Sequence, residues 1–128
     1  MIKANQTEPR LVEGEESGKK QPVCWNKDAY VQCLRVELGD GRFFILPYVH
    51  FAFADLERDG DADVLTASFT THDLRIVGRN LRELGIALQK FAVDWVKAAP
   101  ARYATLTTRD SVFIQTLEVK EAAAQALS

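Results

Sequence analysis

Three groups of residues in this chain have the types that chemistry requires. Asp59, Asp61 and Asp63 recur at every second position, the opening spacing of a calcium-binding loop, whose carboxylate oxygens suit a hard cation. Such a loop needs glycine next, for its sharp turn, and a bidentate glutamate at its last position. Val64 and Thr70 stand there instead. The run therefore reads as the solvated acidic tip of a hairpin, which discourages edge-to-edge association. The second group is His50, His72, Cys24 and Cys33, all the histidines and cysteines of the chain. A zinc site takes three or four clustered ligands, and these four are scattered, without the C-x-x-C pairing of metal or redox sites. A nucleophile at Cys33 or Ser68 would need a histidine base within hydrogen-bond reach. His50 could approach Cys33 only in some strand orders. The sequence thus supplies no metal site, no cofactor motif and no catalytic assignment.

The third group is cationic. Residues 75–102 hold six bases, Arg75, Arg79, Arg82, Lys90, Lys97 and Arg102, against Glu83 and Asp94, a net +4. Residues 37–63 hold seven acids against Arg42 and Arg58, a net −5. Gly78-Arg79-Asn80 opens a helical pattern where backbone N–H groups and the helix dipole favour an anion. Arg75, Arg79 and Arg82 near that start oppose the dipole. Arg75, Arg79, Asn80 and Arg82 are therefore the candidate binding residues, with a phosphate, a carboxylate or the acidic hairpin of a second subunit as ligand. The competing reading has Arg79 and Arg82 pointing to solvent and paired with Asp73 and Glu83.

These residues must be positioned by a succession of strands and one helix. Leu34, Val36 and Leu38 alternate with Arg35 and Glu37, the period of a half-buried strand. Gly39-Asp40-Gly41 turns the chain into a return strand, Arg42 to Leu46, which Pro47 ends. Residues 49–56 alternate again, and Asp59-Gly60 signals a hairpin to the strand Val64–Thr70. An odd-length loop with a bulge would set Phe53 against Leu65 and keep the apolar faces together. With Thr71-His72 as the next tip, Phe69 opposes Leu74 and Ala67 opposes Ile76, and that strand ends at Gly78. Asn80 and Glu83 form a variant capping box. Leu81, Leu84, Leu88, Phe91 and Trp95 then make one stripe on a helix of about five turns that stops before Pro100. Ser111–Val119 is a last strand.

The order predicts an α+β fold, an antiparallel β-meander of about five to six strands packed against one long amphipathic helix. A strand series closed by a helix bearing Trp95 resembles the pleckstrin-homology-type barrel in element order alone. The strand after the helix departs from that pattern, and no residue carries over. Residues 1–22 are polar and without periodicity, an N-terminal arm; residues 23–119 form the domain and 120–128 a C-terminal tail.

At 128 residues, 47% hydrophobic and 27% charged, the chain suits one globular domain with a core that needs no staples. A net charge of −2 argues against nucleic acid or an anionic membrane as partner. The N-terminus has no apolar segment of a secretory signal, and Phe43–Ala54 is too short to span a bilayer. Two cysteines make no disulfide scaffold, and Cys33 reads as a small buried apolar residue. The expected location is the cytoplasm. The expectation for function is a non-enzymatic protein-interaction or structural module that acts as a homodimer. The alternative is a protein, or minor enzyme, that binds a small anionic metabolite between sheet and helix.

Overall fold

The computed structural model describes residues 23–100, 102–103 and 111–122. The N-terminal arm predicted over 1–22, and most of the predicted tail, lie outside the described residues. Eight strands and one α-helix follow in the order β1 (Trp25–Lys27), β2 (Cys33–Glu37), β3 (Phe43–Pro47), β4 (Phe51–Asp59), β5 (Ala62–Phe69), β6 (His72–Arg79), α1 (Arg82–Gln89), β7 (Val93–Lys97) and β8 (Phe113–Glu121). A 3-10 turn, Tyr48–His50, links β3 to β4. The strands form two four-stranded sheets, β1-β7-β2-β3 and β4-β5-β6-β8. All pairings are antiparallel except β2 with β7. The protein is thus mainly β with one helix, and the single meander of five to six strands is corrected to two sheets.

The second correction concerns the helix. The apolar stripe from Leu81 to Trp95 does not stay helical: α1 ends at Gln89, and Val93–Lys97 is an extended strand. Two forces stop it. The Ala92 N–H bonds the Ala87 carbonyl and the Phe91 N–H bonds that of Leu88. This is the Schellman closure, with Phe91 in the left-handed position usually taken by glycine, at φ 55°. Beyond it, Val93 and Val96 are β-branched, fit a pleated surface, and are fully buried there. Trp95 sits opposite Asn26 and Arg35 in the sheet, not on a helix, and with it goes the likeness in element order to the pleckstrin-homology-type barrel. The part of the stripe that is helical behaves as expected, for Leu84, Ala87 and Leu88 face the core. Each such leucine contributes roughly 1.5–3 kcal/mol by leaving water.

The hairpins show how register follows from turn chemistry. The β4–β5 loop has two residues, Gly60 and Asp61, since Asp59 pairs with Ala62. Gly60 takes φ +65°, the positive φ that a tight hairpin tip demands. The expected odd-length loop is therefore absent, but a bulge between Phe51 and Phe53 restores the facing of Phe51 with Phe69. Leu56 meets Leu65 and Ala54 meets Ala67. In the β5–β6 hairpin Ala67 opposes Leu74 and Leu65 opposes Ile76, two residues away from the predicted register. A slip of two leaves every side chain on its own face. β6 runs on through Gly78 to Arg79, and β8 runs two residues past the predicted boundary at 119.

The inner faces of both sheets and α1 share one core, which includes Leu34, Val36, Val96, Leu65, Ile76 and Leu84. The sheets meet at two corners. At one, the Tyr48 ring lies 6.3 Å from Phe51 and from Phe69. At the other, the Ala99 N–H bonds the Ile114 carbonyl and the Ile114 N–H points at the Cys24 sulfur. Cys24 and Cys33 are both free thiols; Cys24 is buried, and Cys33, expected in the core, is only half-buried.

Candidate functional site

α1 lies between β4 on one flank and the β1–β2 segment on the other. Its N-terminus is not capped by its own neighbours. Asn80 adopts φ 59° and its side-chain amide donates to the Ser111 carbonyl at 2.7 Å. The Leu81 N–H instead donates to the Asp63 carboxylate at 3.0 Å, so the capping acceptor comes from β5. Asp63 also faces Arg58 at 3.6 Å. One of the three hairpin aspartates is thus inward and engaged rather than solvated.

On the β1 side three hollows run in a row. A basic cleft of about 400 Å³ is lined by Lys27, Asn80, Arg82, Glu83, Ile86 and Lys90, among others. Lys27 and Lys90 also line the next hollow, about 560 Å³, with Asp28 and Tyr30. Tyr30 continues into an apolar pocket of about 360 Å³ walled by Val31, Cys33, Pro47, Tyr48 and Phe91. The backbone holds this row together, because the Asp28 and Val31 N–H groups bond the Ala92 and Phe91 carbonyls. Tyr30 and Phe91 both hold positive φ, a conformation that costs a non-glycine residue about 1 kcal/mol or more. The Phe91 ring stacks on Tyr48 at 4.9 Å, which offsets part of that.

Positive charge predominates in the cleft. Among the described residues, Lys27, Arg82 and Lys90 form no ion pair; Glu83 lines the cleft with them, and Asp28 lines the adjoining hollow. On the other flank of α1, Arg82 and Ile86 also border a small hollow with Ala54, Asp55 and Leu56 of β4. Asp55 and Glu57 are exposed and likewise without ion-pair partners among the described residues.

Of the four residues singled out in the sequence, the structure brings Asn80 and Arg82 to one cleft. Arg75 lies exposed in mid-β6, between Thr66 and Glu118 of the neighbouring strands. Arg79, at the end of β6, holds its guanidinium 5.1 Å from the Phe113 ring centroid, a cation–π contact. Lys27 and Lys90 were not foreseen. Lys90 follows Arg82 by eight residues, hence near the same helix face, which was a readable signal. Lys27 reaches the cleft only through the pairing of β1 with β7.

Two buried groups have altered acidity. Burial pushes the Tyr48 phenol well above its ordinary range, and its hydroxyl donates to the Val93 carbonyl at 2.8 Å. Burial also raises the Cys24 thiol, against the opposing hydrogen bond from the Ile114 N–H. A thiol so placed is a poor nucleophile. Among the described residues no hydrogen bond joins Cys33 or Ser68 to a histidine. No three side chains of metal-binding type converge among them, and no helix is long and apolar enough to cross a membrane. The arrangement offers fixed positive charge beside an apolar hollow, which is equipment for binding. No protein-family model, no curated protein and no solved structure matches this chain.

Proposed function

We propose that this chain is a non-enzymatic protein-interaction module that acts as a homodimer in the reducing cytoplasm. The observation that carries the reading is the set of cations Lys27, Arg82 and Lys90 in one cleft, without ion pairs among the described residues, within reach of exposed apolar surface at Tyr30, Ile86 and Phe91. Exposed apolar groups beside predominantly positive charge suit a contact with a partner whose charge is opposite. The chain itself carries the opposite charge on β4. The free thiols of Cys24 and Cys33 suit a reducing compartment. Light scattering across a salt series tests it: the molar mass is twice that of the chain at low salt and falls as salt rises. A single-chain mass at every salt and protein concentration would refute it.

A second reading is favoured by the composition of the cleft, three cations and Asn80 against one acid. There a small phosphorylated or carboxylated metabolite takes the place of the partner's carboxylates. Thermal shift with inorganic phosphate and citrate reads it out through ligand linkage. A gain that survives Arg82→Ala removes the cleft as its source.

A further inference from the structure

β8 is an edge strand of its sheet, and the two ends of its free edge differ. The Ala122 N–H bonds the Thr71 carbonyl. By the alternation of an antiparallel ladder, the backbone groups of Lys120 and Glu118 then also face β6, and those of Leu117, Val119 and Glu121 point out to the free edge. At the start of the strand that edge is taken: Ile114 gives its N–H to the Cys24 sulfur and accepts the Ala99 N–H. Among the described residues, nothing bonds the outward groups of Leu117, Val119 and Glu121. From this we infer that β8 pairs antiparallel with β8 of a second copy, about a two-fold axis that passes between the two Val119 residues.

Charge and the free segment together fix the register. Glu118 and Lys120 share the solvent face of the sheet, opposite Arg75 and Asp73 of β6. Both are exposed and form no ion pair among the described residues. An isologous contact repeats each pairing, so an axis at Val119 sets Glu118 of each copy against Lys120 of the other. Charge then alternates across the seam, from Arg75 and Glu118 to Lys120 and Asp73 of the second copy. An axis at residue 118, 120 or 121 would instead set a like charge on its own copy, which is destabilising. An axis at Leu117 would set Lys120 against Ile114, which is buried and whose backbone is already bonded. On the opposite face Leu117 and Val119 are half-buried beside Ile76 and Leu74, and pairing takes more of their surface out of water. Charges on an edge strand ordinarily discourage association. Here opposite signs two residues apart admit one register and reject its neighbours.

This inference rests on the homodimer reading and assigns its contact to β8, none of whose residues lines the basic cleft. Sedimentation equilibrium on the full chain and two charge variants separates the two. Glu118→Lys and Lys120→Glu each set like charge on like charge twice across the seam. Each is expected to dimerise on the order of 10-fold more weakly than the parent. An equimolar mixture is expected to recover a two-chain species, because both contacts of the mixed pair are again opposite in sign. The changed contacts with Arg75 and Asp73 within a chain are the same in the mixture, so recovery reports the seam alone. Val119→Pro removes the outward N–H at the axis and leaves the ladder to β6 intact, as proline on an edge strand can. It is expected to be monomeric alone and in every mixture. Circular dichroism identical to that of the parent establishes that each variant folds; if Val119→Pro does not, the charge pair decides alone. A mixture no tighter than its components, a charge variant that dimerises like the parent, or a folded Val119→Pro dimer of parental strength overturns the seam and leaves dimerisation to another face. A parent that is monomeric throughout overturns the homodimer reading as well.

Discussion

The same substitution at two glycines is expected to act with opposite sign. At Gly78 an added Cβ would lie 1.9 Å from the Phe113 carbonyl oxygen and about 3.0 Å from its carbon. That is some 1.5 Å inside the onset of ordinary contact at 3.4 Å. Gly78 pairs with Ile114 at a bulge between β6 and β8, and the obstructing atoms are backbone, so no side-chain rotation relieves the clash. Strands sit about 4.8 Å apart, and opening the pair by a quarter of that spacing breaks local ladder bonds. Overpacking of roughly 1–3 kcal/mol and the loss of one or two hydrogen bonds at about 1 kcal/mol each give a destabilisation of at least about 3 kcal/mol for Gly78→Ala. At Gly85 in α1 the added Cβ meets only Leu65 Cδ1 at 3.5 Å, an ordinary contact, while alanine improves helix propensity by about 1 kcal/mol. Both replacements restrict the unfolded chain alike, so that effect cancels in the comparison. In urea, with a slope of about 1–3 kcal/mol per molar, the midpoint of Gly78→Ala falls by about 1 M or more and that of Gly85→Ala rises. If Gly78→Ala unfolds within about 0.3 M of the parent, the close approach of β6 to β8 is not what requires glycine.

Two further outcomes follow from the aromatic corner. Replacing Phe91 removes its stacking on Tyr48 and its edge contact with Phe51, yet Phe91→Gly also relieves the positive φ, so Phe91→Ala is expected to be less stable than Phe91→Gly by about 1 kcal/mol; equal urea midpoints would show that the left-handed stop carries no strain. The weakened acidities of Cys24 and Tyr48 in the fold mean that the unfolded chain releases these protons at lower pH than the folded one. Their contribution is whole below about pH 9 and is lost as pH rises further; melting temperature therefore declines above pH 9, and Tyr48→Phe flattens the portion above pH 10.

Strand existence was legible because period-two alternation reports burial directly: Leu34 and Val36, and Leu65, Ala67 and Phe69, all face the core as their spacing implies. Register was less legible. Asp59-Gly60 marked the hairpin, but the tip is Gly60-Asp61, and the bulge that reconciles its parity depends on where β3 hands over to β4. The helix failed for a sharper reason. Leu81, Leu84, Leu88, Phe91 and Trp95 satisfy a helical period, while Val93 and Val96 equally suit a strand, and only pairing with β1 and β2 decides between them. The site followed the same rule. Asn80 and Arg82 adjoin in sequence and stay together, whereas Lys27 and the capping Asp63 arrive from elements far away in the chain.

The early end of α1 is what makes the site and half of the fold. β7 sits between β1 and β2, so without it the first sheet would lose the strand that joins its members. A helix continued to Trp95 would consume β7 and leave Cys24, Trp25 and Val36 without their neighbours. It would also carry Lys90 out of the turn at the helix end, where the backbone now holds it across from Lys27. Both ends of α1 are held: the Leu81 N–H at its start donates to Asp63, and Phe91 takes the left-handed position just past its end. A helix held to these eight residues leaves Lys90 just past its end, where it lines the basic cleft with Lys27 and Arg82.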